Sequence, residues 1–150
     1  MLDAVQQFFR QTFEASSSAE PTVTPELAVA ALLSEVLRAD YKVDEAELTM
    51  LRDVLSRQFS LERSAVEQLM TEARDEVERA VDHFQYVSLL NERYTYDQRV
   101  ELVGAMWRLA YADDELAALE EHRIRRLADL LYVTHSDFIR TKLAVQAERG

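Results

Sequence analysis

Asp40, Asp44 and Glu47 fall in one short acidic stretch, and Asp113, Asp114 and Glu120 fall in another, 73 positions on when counted from Glu47 to Glu120. Carboxylates spaced across the end of one helix and the first turn of the next can converge on a single point. Hard oxygen donors of this kind suit Ca²⁺ or Mg²⁺ rather than a soft metal. The end of a helix also leaves carbonyl oxygens and partial negative charge exposed, so an Asp there is misplaced by roughly 0.3–1 kcal/mol, and a bound cation reverses that sign. The same residues have a plainer reading. Asp44 is a good N-cap, Glu47 a good first-turn acid, and an Asp between helices needs no ligand. Glu120 persists where the counterpart of Asp44 is Ala117, so capping alone does not account for it. Neither stretch has the central Gly or the alternating acids of an EF-hand loop.

The elements that would position these acids are helices. Residues 27–66 and 100–139 read as two copies of one unit: Ala39-Asp40 falls on Ala112-Asp113, Leu51 on Ile124, Val54 on Leu127 and Phe59 on Tyr132. Thr24-Pro25-Glu26 predicts an N-cap, a first-turn Pro and a first-turn acid, opening a helix that ends near Ala39. Leu48, Leu51, Leu55 and Phe59 predict the next helix. Ser60 reads as the cap of a third, with Val66, Leu69 and Ala73 inward and a charged, solvated face over 72–78. Asp82 reads as the cap of a helix carrying Phe84, Val87, Leu90 and Tyr94. Its break from the preceding helix falls somewhere in 75–82. Thr95-x-x-Gln98 is a capping box that opens the second copy. Thr134-x-x-Asp137 caps the last helix, with Phe138, Ile139 and Leu143 inward and a frayed end from Glu148. The expected architecture is an all-α, single-domain bundle of seven or eight helices with an internal pseudo-twofold repeat. Ahead of it stand an amphipathic helix over 1–15, carrying Leu2, Val5, Phe8, Phe9 and Phe13, and a Ser-rich linker over 16–24. The helical domain itself spans 25–147. The N-terminal helix is expected to cover the second copy's helices.

Two Gly and two Pro in 150 residues leave too few turns for a sheet-rich fold. With 28 acidic against 17 basic residues the formal charge is −11, which argues against nucleic acid and an anionic membrane and favours cations or a protein partner with a basic surface. The absence of Cys removes thiolate catalysis and thiolate metal sites. There is no Gly-rich phosphate loop, no G-x-S-x-G and no Glu-x-x-His pair. His83, His122 and His135 are scattered, and His122 should point away from Glu120 around its helix. Trp107 reads as core, Tyr41 and Tyr111 as covers of helix ends, and Arg93, Arg99 and Arg108 as partners of nearby acids. No signal peptide, membrane span or organic cofactor is predicted, and a cytoplasmic protein is expected.

The run Leu109-Ala110-Tyr111-Ala112-Asp113-Asp114-Glu115-Leu116 with Glu120, its weaker copy Ala39-Asp40 with Val43-Asp44 and Glu47, and Thr95–Arg99 ahead of the second copy resemble the TerB-like tellurite-resistance family. The resemblance covers about Leu27 to Leu143. Tyr41 and Asp114 stand where the family usually has Gly, so the turns are expected to differ in geometry. The resemblance implies an all-helical domain with a repeat, an acidic face proposed to bind divalent cations, a role in a stress-response assembly, and no catalytic activity. The competing readings are a metal-free adaptor with an acidic face and a carboxylate-based, metal-dependent hydrolase.

Overall fold

The computed structural model describes residues 23–37, 45–79, 84–112 and 118–149. Seven α-helices and no strand occur among them: α1 (Pro25–Leu37), α2 (Glu45–Phe59), α3 (Arg63–Arg79), α4 (Phe84–Arg93), α5 (Tyr96–Ala110), α6 (Ala118–Leu130) and α7 (His135–Arg149). The expected helix over 1–15 and nearly all of the linker lie outside the described residues.

α1 is the hub. Leu27 through Leu33, with Val36 and Leu37, are all buried. Alanines at 28, 30 and 31 narrow the helix, so neighbours can approach on every side. It touches α2, α3, α4, α5 and α6. α5 is the second central helix, with Leu102, Met106, Trp107 and Leu109 inaccessible to solvent. The contacts pair off: α1 packs on α2 and α3 as α5 packs on α6 and α7, and α2 meets α5 as α6 meets α1. A fully buried Leu or Met side chain contributes about 1.5–3 kcal/mol, so these two helices carry much of the core's stabilisation.

Helix starts follow local chemistry. Thr24 Oγ1 accepts from the Leu27 amide at 3.1 Å. Thr95 and Gln98 form the reciprocal capping box. The Asp137 amide donates to Thr134 Oγ1 at 3.2 Å.

Several expectations are corrected. Ser60 does not cap α3. It has φ 52 and closes α2, with the Leu61 amide donating to the Ser56 carbonyl at 3.2 Å. Tyr132, with φ 58, closes α6 in the same way, through the Val133 amide and the Ala128 carbonyl at 2.9 Å. Tyr132 thus ends its helix as Ser60 does, where the sequence match sets it on Phe59. It is 73% exposed, while Phe59 packs on the core. Leu143, expected inward, is exposed, as is Phe84, and Tyr86 joins Val87 and Leu90 on the buried side of α4. The 72–78 face is not wholly solvated, because Tyr86 donates to Glu76 Oε2 at 2.9 Å. Of the 75–82 stretch where a break is expected, residues up to Arg79 are helical, and the rest, Asp82 included, lie outside the described residues. Rather than fraying at Glu148, α7 runs to Arg149.

Candidate functional site

Two of the six predicted ligands lie among the described residues. Glu47 and Glu120 each sit in the first turn of a helix, α2 and α6, and each is buried, 2% and 1% exposed. Asp40, Asp44, Asp113 and Asp114 lie outside the described residues. Burial of a carboxylate costs several kcal/mol unless neighbours compensate. A helix N-terminus returns about 0.3–1 kcal/mol, too little by itself. Their neighbours on the first turns behave differently: Glu45 is exposed, and Glu121 stays half-exposed and takes a 2.8 Å ion pair from Lys142. Burial therefore singles out Glu47 and Glu120, the two acids that stand 73 positions apart in the sequence.

Contacts between helices fix α6 and the end of α5, the elements on either side of the second acidic stretch. Arg123, one turn further along α6, lies 3.7 Å from Glu35 near the end of α1. Tyr111 terminates α5 immediately before the second acidic stretch, with its amide bonded to the Trp107 carbonyl at 3.0 Å. α7 holds that end in place. Arg149 donates to the Tyr111 carbonyl and stacks over its ring at 5.4 Å. Gln146 donates to the Tyr111 hydroxyl at 2.8 Å. A guanidinium on the last carbonyls of a helix is favourably placed against its dipole. Arg108 adds a two-pronged pair to Glu148 at 3.0 and 3.1 Å, and the Glu148 carboxyl is held below the usual range chiefly by that bond.

Trp107 is fully buried and Tyr111 stacks on it at 6.1 Å, as expected of a core residue and of a ring covering a helix end. His122 is exposed, on the other side of α6 from Glu120. Arg99, expected to pair with an acid, makes no ion pair among the described residues. It donates instead to the Leu131 carbonyl at 2.7 Å and to Asn91. His83 and Tyr41 lie outside the described residues. Sequence reasoning missed the Glu35–Arg123 and Glu76–Tyr86 contacts, which join separate helices and leave no trace in spacing along the chain.

Among the described residues no group of three or more His, Cys, Asp or Glu is placed to hold a metal ion. No described helix is long and apolar enough to cross a membrane. The groove between α2, α5 and α7 and a smaller one between α1, α2 and α3 are lined by neither Glu47 nor Glu120. No curated protein matches the chain, and no solved structure matches it. The family model described as "Tellurite resistance protein TerB" matches residues 26–143, from the first turn of α1 to the middle of α7, and the chain belongs to that family.

Proposed function

We propose that this chain is a non-enzymatic TerB module that takes up a divalent cation, Ca²⁺ or Mg²⁺, at its acidic turns and so controls its association with a protein partner. The supporting observation is the burial of Glu47 and Glu120 in the first turns that follow those two stretches. In this reading Asp40 and Asp44 complete the first set with Glu47, and Asp113 and Asp114 complete the second with Glu120. A charge of −11 favours a partner with a basic surface. Membership of the family makes a cytoplasmic stress response of the tellurite-resistance kind the natural setting.

Calorimetric titration of the chain with Ca²⁺ and with Mg²⁺ tests this. Binding heat that disappears in the Asp40→Asn, Asp113→Asn double variant supports it. No heat from either ion, or heat unchanged in the variant, overturns the cation part. What then remains is an acidic adaptor whose partner binding weakens with salt and ignores chelator.

A further inference from the structure

α2, α5 and α7 leave a groove of about 890 Å³ between them. Its floor is apolar and shallow in side chain: Met50 and Val54 from α2, Val100, Gly104 and Ala105 from α5, and Ala144 from α7. Its rim carries both signs of charge, with Asp53 and Arg57 on one side and Arg108 and Glu148 on another. We propose that the groove is the docking site of the chain's own N-terminal segment, Leu2–Phe13.

Three observations point to that occupant. First, the lengths agree. The groove follows α5 from Val100 to Tyr111, eleven residue steps or about 16 Å, and Leu2 to Phe13 is also eleven steps of helix, about 16 Å. The spacing of Leu2, Val5, Phe9 and Phe13 gives that segment one apolar face. Asp3, Gln7, Arg10 and Glu14 fall outside that face, and Arg10 and Asp3, which flank it, would lie nearest the rim of mixed sign.

Second, the chain enters beside the groove. Val23 packs on the core directly ahead of α1. α1, which that segment precedes, packs against both α2 and α5, two of the three helices that line the groove. The ten residues from Phe13 to Val23 can span up to about 33 Å, more than enough to return the segment along the groove.

Third, Gly104 is buried on α5, and no described neighbour accounts for a glycine there. A glycine inside a helix costs roughly 0.5–1 kcal/mol against Ala. A Cβ added here would meet only the Arg108 guanidinium, at 4.0 Å, so no described neighbour demands glycine. A helix bearing Phe side chains and lying close over α5 would.

The inference stands independently of cation binding. The chain has no Cys, so Gln11→Cys, on the polar side of the segment, takes a single nitroxide label without background. In the full chain, amide signals of Val54, Gly104, Ala105 and Ala144 should lose most of their intensity, while Gln85 and Ser88 on α4 keep theirs. Adding Gly104→Leu, which fills the floor, should restore the lost signals with helical circular dichroism unchanged. Loss of signal elsewhere, or no loss, overturns the proposal. A mixture of nitroxide-labelled, unenriched chains with unlabelled, isotope-enriched chains separates the other occupant: if groove signals vanish there too, a second copy fills the groove and the intramolecular reading fails.

Discussion

Glu47 and Glu120 are two carboxylates withdrawn from water on the first turns of α2 and α6. If a cation holds them there, its binding is linked to folding, and an ion at 100 times its Kd stabilises the fold by about 2.7 kcal/mol. The wild-type chain is therefore expected to melt at higher temperature with Mg²⁺ or Ca²⁺ than at matched ionic strength in NaCl. The Glu47→Gln, Glu120→Gln variant should show no such difference, and scanning calorimetry reads both. Asp137 gives a pH prediction. The Tyr96 hydroxyl and then Arg140 hold its carboxyl below the usual carboxylate range. A depressed folded value means that its contribution is present above the unfolded pKa of about 3.9 and is lost as pH falls through the folded one. Tyr96→Phe should raise the Asp137 pKa, measured by carbon-13 NMR of that carboxyl, and move its loss to higher pH. At this scale Glu47 and Glu120 were legible as acids shared by both halves, because an apolar core does not call for them. Their burial was not legible: helical period fixes the direction of a side chain, not which helix covers it. The same limit hid Glu76 and Tyr86, which lie on separate helices with a break between them.

Helix starts and helix ends differ in how plainly they are written. The capping box Thr95–Gln98 uses side chains that only a start needs, and it forms as the sequence predicts. Thr95→Ala is expected to cost about 1 kcal/mol, lowering Tm by roughly 2–4 °C in a chain of this size. The ends of α2 and α6 use Ser60 and Tyr132 in the left-handed region without glycine, so the usual C-terminal signal is missing. Ser60 looked like a start for that reason. Left-handed backbone costs a residue with a Cβ about 1–2 kcal/mol, and glycine's extra freedom in the unfolded chain returns about 0.4–1 kcal/mol of that. Ser60→Gly should therefore stabilise, by about 0.5–1 kcal/mol, seen as a higher urea midpoint at unchanged slope. A lower midpoint would mean that the Ser60 side chain contributes something its geometry does not show. The paired ends also explain why the 73-residue register slips. Ser60 and Tyr132 are 72 apart, so the match of Phe59 to Tyr132 sets a core residue against an exposed one.

For the molecule as a whole, the question is whether α1–α3 and α5–α7 make two cooperative units or one. The all-helical bundle was legible from composition and from the apolar period, since both act residue by residue. The central place of α1 was only half legible: its run of Leu, Val and Ala signals burial, but not that five other helices share it. That sharing decides the thermodynamics. α1 and α5 each contact helices of the other half, and each half covers apolar surface that the other would expose if it unfolded first. One transition follows. The chain carries a natural probe for it, because its one tryptophan, Trp107, lies on α5 and is fully buried. Trp107 fluorescence should therefore fall in step with helical circular dichroism as urea rises, two probes reporting a single event. Leu33→Ala removes a fully buried side chain from α1, in the opposite half from the tryptophan. Its cost should be about 2–5 kcal/mol, a large part of the 5–15 kcal/mol of a typical domain. Both probes should shift to the same lower midpoint with the slope preserved. If fluorescence stayed at the wild-type midpoint while circular dichroism fell early, the second half would be folding without the first, and the shared core inferred from α1 and α5 would be wrong.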